Sequence, residues 1–156
     1  MQHRARRSRA LVIATSVLVL VVIGALEAGE SARQLADAVG SPRLGPAGAG
    51  LTALGLIAST AVYLALGWSV GIDRDALRVG ALTGVIAGLG GGAIRAWLIA
   101  DAVTEIVSRY AAVPDWFVPA ALAVFVALAA VVSAVGGAAI AFAGVRIRKM
   151  GRARSG

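Results

Sequence analysis

Three charged residues in or just after one apolar segment are the first candidates for chemistry in this sequence. Arg95 lies inside the apolar segment 79–99, and Asp101 and Glu105 follow that segment. A charge within a segment that can cross a bilayer often marks a transport or binding path. Two carboxylates four residues apart share one face of a helix, where they can hold a cation or act as an acid and a base. These three residues are therefore the candidate functional charges.

Structural roles compete with a functional interpretation of Arg95. It lies about 6 Å of helix rise from the end of its segment, so its guanidinium can reach the lipid headgroups. A bond from Arg95 to Asp101 is not expected, because six residues separate two side chains by about 240° around a helix. The remaining partners for Arg95 are Asp115, Glu27 and Glu30, which belong to other helix ends.

The carboxylates after this segment also have two interpretations. Asp101 and Glu105 fit a solvated helix surface, because Arg109 follows Glu105 by four residues and can pair with it. The catalytic alternative is an enzyme that acts on lipid at the outer interface through Asp101, Glu105 and Asp115.

Other catalytic classes are excluded or disfavoured by residue content. The chain has no cysteine, which excludes disulfides, thiolate nucleophiles and cysteine metal sites. Its single histidine, His3, lies in a basic tail, where metal binding and general-base catalysis are not expected. The run Gly90–Gly92 is not followed by the Lys-Ser/Thr pair of a phosphate-binding loop. We therefore expect no enzyme activity, no cofactor and no metal.

Small residues recur at every fourth position in two of the apolar segments. The first row consists of Gly80, Gly84, Gly88, Gly92, Ala96 and Ala100. The second row consists of Ala129, Ser133, Gly137 and Ala141. Residues four apart lie on one helix face, and small side chains there let two backbones approach closely. We expect the two rows to pack against each other as antiparallel helices. A contact with a second copy or with another membrane protein is the alternative use of the first row.

Composition favours a membrane environment for the chain. Hydrophobic residues make up 59% of its 156 residues, and the mean hydropathy is +0.85. Soluble domains are about 45–50% apolar. Four apolar segments are candidate membrane spans: 10–26, 51–70, 79–99 and 116–145. A spanning helix needs about 20 residues, so the first segment is short and the fourth is long.

Basic residues are distributed asymmetrically between the two sides that these spans define. Residues 1–9, 71–78 and 146–156 hold 11 Lys and Arg residues, whereas the other two connections hold three. Because Lys and Arg favour cytoplasmic loops, both termini are predicted to be cytoplasmic in a multi-pass protein of the cell membrane. The basic tails are expected to attract anionic lipid headgroups. Nucleic-acid binding is not expected, because no aromatic residue interleaves with the tail arginines to stack on bases.

Local signals refine several helix ends. Apolar periodicity continues past the third segment, so that helix is expected to run over 79–110 and to extend beyond the outer surface. The first segment is interpreted as an uncleaved anchor, with a cleaved signal peptide as the alternative. A separate helix is expected over 31–39, with Pro42 as a stop. Asp115 is expected to cap the fourth helix, and Gly136–Gly137 is a candidate bend.

The sequence thus predicts an all-α integral membrane bundle of four helices, with residues 10–145 as the transmembrane domain between two basic tails. The expected function is that of a small non-catalytic membrane subunit or assembly factor that acts through glycine- and alanine-mediated helix packing. The alternative is a small transporter or a pore-forming, holin-like element. In that alternative, Arg95, the run Gly90–Gly92 and the hydroxyls of the second segment face a cavity.

Overall fold

Four long helices account for nearly all of the described structure. This computed structural model describes residues 2–40, 47–110 and 112–153, with side chains at 11–30, 33, 53–110 and 112–153. In chain order, the helices are α1 (Gln2–Gly40), α2 (Ala47–Val70), α3 (Asp73–Tyr110) and α4 (Phe117–Ala153). Each contains a stretch that is long and apolar enough to cross a bilayer. The predicted all-α fold with four candidate membrane helices is confirmed.

The first helix is longer than the sequence pattern indicated. α1 continues without a break through Glu27 and Glu30 to Gly40, where two separate helical segments were expected. Its apolar part, Leu11–Glu30, contains 20 residues and so reaches the length of a span. The residues after Glu30 include good helix formers such as Ala, Arg, Gln and Leu, which lets the helix propagate. Pro42, the predicted stop, lies outside the described residues.

The ends of α3 and α4 differ in detail from expectation. α3 begins at Asp73 rather than at residue 79, and the amide of Ala76 donates to the carbonyl of Ile72 at 2.9 Å. Its first turn holds two aspartates, which favour a helix N-terminus. Asp115 does not cap α4. The amide of Ala120 donates to the carbonyl of Trp116 at 3.1 Å, so Trp116 flanks the helix start.

The helices remain continuous where glycines suggested interruptions. α3 is helical through the run Gly90–Gly92, and α4 is helical through Gly136–Gly137. α4 also continues through most of the basic C-terminal segment to Ala153. Residues 154–156, the end of that segment, lie outside the described residues.

Each helix packs mainly against two others. α3 packs against α4 and α1, and α2 packs against α4 and α1. α1 and α2 run antiparallel, because Glu27 lies against Gly55 while Leu20 belongs to one core cluster with Tyr63. The bundle therefore has α1, α3, α4 and α2 in order around its axis, and an interior bordered by all four.

Close backbone contacts join α3 to α4 along several turns. A Cβ atom added to Gly84 would lie 2.6 Å from the carbonyl carbon of Ser133, and one added to Gly88 would lie 2.7 Å from the Cα of Ala130. The buried residues of α3 include all of the first row except Ala100, which is half-buried: Gly80, Gly84, Gly88, Gly92 and Ala96. In the structure the two rows of small residues therefore face each other. Dispersion contacts from this approach offset the roughly 1 kcal/mol that each helical glycine costs relative to alanine in water.

A second close contact joins α2 to α4. A Cβ atom added to Gly67 would lie 2.6 Å from the carbonyl carbon of Ala141, and one added to Gly144 would lie 3.2 Å from the Cα of Leu64. Gly137 faces both neighbours of α4, since a Cβ there would lie 2.6 Å from the Tyr63 ring. Glycines of α4 thus make room for two helices at once.

Polar contacts join three helix ends at one end of the bundle, which we call the basic end. Lys149 donates to both carboxylate oxygens of Asp73, at 2.8 and 2.9 Å. Arg148 donates to the carbonyl of Trp68 at 2.7 Å, in the last turn of α2. Gly71 follows α2 with a φ of +73°, the left-handed conformation that ends a helix most readily when the residue is glycine. These contacts fix the α2–α3 connection against α4.

Candidate functional site: a polar cavity between the four helices

All four helices line one cavity of about 280 Å³ in the interior of the bundle. Most of its lining is glycine, alanine and aliphatic side chains. The polar and charged lining residues are Glu27, Ser59, Thr60, Tyr63, Arg95 and Ser133. Since polar groups are costly inside an apolar bundle, their convergence on one space distinguishes this cavity from ordinary packing defects.

Glu27 reaches the cavity from α1. Leu20, Ile23, Gly24 and Glu27 line the cavity at helical spacing and form one face of α1. The Glu27 carboxylate lies directly against Gly55 of α2, where an added Cβ would lie 2.6 Å from the carboxyl carbon. Gly55 is buried and thus provides the space that the carboxylate occupies.

Arg95 reaches the same cavity from α3 and is half-buried. Gly91 and Gly92 line the cavity one turn earlier on that helix. Gly91 also lets α1 approach, because a Cβ added to Gly24 would lie 3.5 Å from its Cα. The side chain of Arg95 therefore borders the bundle interior. The sequence had left open whether this side chain faces a cavity or the lipid headgroups.

Hydroxyl groups complete the polar part of the lining. Thr60 donates its hydroxyl to the carbonyl of Leu56 at 2.7 Å, which leaves its oxygen lone pairs able to accept. Tyr63 is 6% exposed, and its ring lies against Gly137. Ser59 on α2 and Ser133 on α4 line the same space.

Arg95 and Glu27 together can bind a small solute that carries one negative and one positive charge. A guanidinium binds carboxylate or phosphate groups, and a carboxylate binds ammonium groups. Glu27 and Arg95 already take part in polar or electrostatic interactions within the chain, so a solute would join or replace those contacts. If each non-hydrogen atom takes about the volume of a water molecule, the cavity holds on the order of ten such atoms.

The other predicted carboxylates lie away from this cavity. Glu105 forms an exposed ion pair with Arg109, one turn further along α3. Asp101 is exposed on the same helix extension. Asp115 borders a separate depression of about 400 Å³ that neither Asp101 nor Glu105 lines. The structure therefore does not bring the three carboxylates around one pocket among its described residues.

Sequence reasoning named Glu27 only as a possible partner of Arg95 at another helix end, and it gave Gly55 no role at the site. Glu27 was placed in a polar connection, because it follows the apolar segment 10–26. Its spacing of three, four and seven residues from Gly24, Ile23 and Leu20 could have predicted that Glu27 lies on the same helix face as these residues. Gly55 carries no local signal for its role, which depends on a side chain from another helix.

Comparisons with known proteins do not assign this chain to a family. No family model matches the chain, and neither the curated proteins nor the solved structures contain a match. Within the described residues, no group of three or more His, Cys, Asp or Glu side chains is placed to hold a metal ion. Fold and cavity define a class only: a four-helix chain whose helices can span a membrane by length and composition, with one cavity between them that polar side chains partly line.

Proposed function

We propose that this protein is a small non-catalytic transporter that carries a small zwitterionic solute across a membrane. The observation that supports this proposal is that Glu27 and Arg95, from two different helices, line one cavity. Arg95 would bind the anionic group of the solute and Glu27 the cationic group, while the α2 hydroxyls bind its remaining polar atoms. An amino acid or a molecule of similar size and charge is the class that fits.

The competing role is assembly with other membrane proteins through small residues. It has less support, because the glycine row that suggested it faces α4 of the same chain. Gly84 and Gly88 in particular lie against the backbone of Ser133 and Ala130. A second copy or partner helix would have to use another surface of the bundle.

We propose further that the basic end lies in the cytoplasm of a cell-membrane protein. Arg74, Arg78, Arg148 and Lys149 lie toward this end on α3 and α4. Since cytoplasmic loops are enriched in Lys and Arg, both termini would then be cytoplasmic. Reactivity of single cysteines introduced at Arg74 and at Ala112 toward an impermeant thiol reagent tests this orientation, because the chain has no cysteine of its own.

Uptake into proteoliposomes tests the transport proposal. The full chain is reconstituted, and uptake of a mixture of radiolabelled amino acids is compared with uptake into protein-free liposomes. We expect uptake by the wild type, and its loss in Arg95→Gln and Glu27→Gln. Gly29→Ala is the matched control, because Gly29 is a glycine of α1 that does not line the cavity, and an added Cβ there has no atom within 4 Å.

Carboxyfluorescein release distinguishes a carrier from a pore. A carrier with a cavity of this size retains the dye, whereas a holin-like pore releases it. Absence of amino-acid uptake by folded wild-type protein, or dye release equal to that caused by a known pore-forming peptide, would contradict the carrier proposal.

A further inference from the structure

A second concavity, of about 460 Å³, lies between α2 and α4 on the side of the basic end. Its lining residues are Leu64, Ala65, Trp68, Ser69, Gly144 and Ile147. We call it the α2–α4 groove. Trp68 and Ile147 are 49% and 45% exposed, so the groove opens to the outer surface of the bundle. The hydroxyl of Ser69 donates to the carbonyl of Leu66 at 2.7 Å, which leaves the groove apolar in character.

Basic side chains continue along α4 directly beyond this groove. Arg148 and Arg152 follow Gly144 at intervals of four residues, which places all three on one helix face. The bond from Arg148 to the carbonyl of Trp68 fixes its guanidinium at the end of the groove. An added Cβ at Gly151 would have no atom within 4 Å, so the surface beside these arginines is open.

Other basic residues of α4 face different partners. Lys149 pairs with Asp73 of α3, and the guanidinium of Arg146 lies 5.0 Å from the centre of the Phe142 ring.

Arg152 already has an interaction within the chain. A guanidinium has five N–H donors, so one internal contact leaves donors for a further acceptor.

We propose that the α2–α4 groove binds an anionic phospholipid, with one acyl chain in the groove and the phosphate against Arg148 and Arg152. The apolar groove matches an acyl chain, and the arginines match the charge of the phosphate. Trp68, at the junction of the two, is a residue type enriched at the level of the headgroups. This inference does not depend on solute transport through the central cavity.

Lipid retention measured by native mass spectrometry tests the proposal. The purified full chain is incubated with equal amounts of phosphatidylglycerol and phosphatidylcholine that carry the same acyl chains. We expect the wild type to retain phosphatidylglycerol at least about fivefold more than phosphatidylcholine. Arg152→Gln should lower this retention about fivefold, which corresponds to about 1 kcal/mol for one arginine near the surface. Ala65→Phe, which fills the groove from its exposed wall, should abolish it.

Matched variants separate a built site from general attraction. Arg74→Gln removes one charge from α3 at the same end, and Ala123→Phe adds the same bulk at an exposed position of α4. Both should retain phosphatidylglycerol as the wild type does. Equal retention of the two lipids by the wild type overturns the proposal. A loss in Arg74→Gln equal to that in Arg152→Gln, or full retention by Ala65→Phe, also overturns it.

Discussion

Gly84 of α3 and Ser133 of α4 approach so closely that no side chain fits between them. A Cβ atom at position 84 would lie 2.6 Å from the carbonyl carbon of Ser133, and that neighbour is backbone rather than a mobile side chain. The contact joins α3 and α4 through their rows of small residues.

Gly84→Ala is therefore expected to destabilise the fold. Backbone shifts that relieve overpacking cost about 1–3 kcal/mol. Gly136→Ala should stabilise by up to about 1 kcal/mol, because the new methyl group meets open space and alanine favours helix. Unfolding in mixed micelles, followed by circular dichroism, measures both changes. Equal stability of the two variants would contradict the α3–α4 contact.

Gly55→Ala should change function more than stability. The methyl group would collide with the end of the Glu27 side chain, which can move away by rotation. We expect a small loss of stability but a large loss of amino-acid uptake, because the carboxylate leaves its position. The same uptake assay with Gly29→Ala as the control measures this. Unchanged uptake in Gly55→Ala would argue that the position of Glu27 is irrelevant to transport.

Thr83→Val is expected to stabilise the protein. The Thr83 side chain is fully buried, and its hydroxyl oxygen has no hydrogen-bond partner among the described residues. An unsatisfied buried hydroxyl costs about 1–3 kcal/mol, and valine has nearly the same shape. Thr104→Val is the control, because the Thr104 hydroxyl is exposed and donates to the carbonyl of Ala100. A lower unfolding midpoint for Thr83→Val would indicate an acceptor for this hydroxyl.

Stability should depend on pH through Asp73, which precedes the apolar segment 79–99. Its hydrogen bond from the Lys149 ammonium lowers the pKa of the carboxyl, and the nearby charges of Lys149 and Arg146 lower it further. Because the folded-state pKa is depressed, the stabilisation is present above the unfolded-state pKa of about 3.9 and is lost as pH falls through the folded value. The difference in unfolding midpoint between wild type and Asp73→Asn should shrink from pH 7 to pH 3. A constant difference would exclude this titration.

A disulfide should form between α1 and α3 in the double variant Gly24→Cys, Gly91→Cys. A Cβ at Gly24 would lie 3.5 Å from the Cα of Gly91, which is within reach of the bond. Mass spectrometry of peptides from the oxidised protein should find these two residues linked within one chain. Gly29→Cys combined with Gly91→Cys is the control, since an added Cβ at Gly29 has no atom within 4 Å. Cleavage of α1 as a signal peptide would instead remove position 24 from the mature protein.

Local sequence signals account for much of the secondary structure. The apolar segments predicted the four candidate membrane helices, and the periodicity after residue 99 predicted the end of α3 at Tyr110. The start of α3 and the continuity of α1 were missed, because Asp73 and Glu27 are charged residues that resemble connections in a hydropathy pattern. In both places, the helix extends beyond its apolar part.

The sequence by itself determined the four apolar segments and which helix faces carry only small residues, because these depend on composition and on a repeat of 3.6 residues per turn. The rows of small residues predicted the contact between α3 and α4, and only the tertiary structure decided the other neighbours around the bundle. That order brings Glu27 of α1 and Arg95 of α3 to one cavity and places the Glu27 carboxylate against Gly55. These other contacts arise from packing between segments far apart in the chain, and no local pattern predicts them.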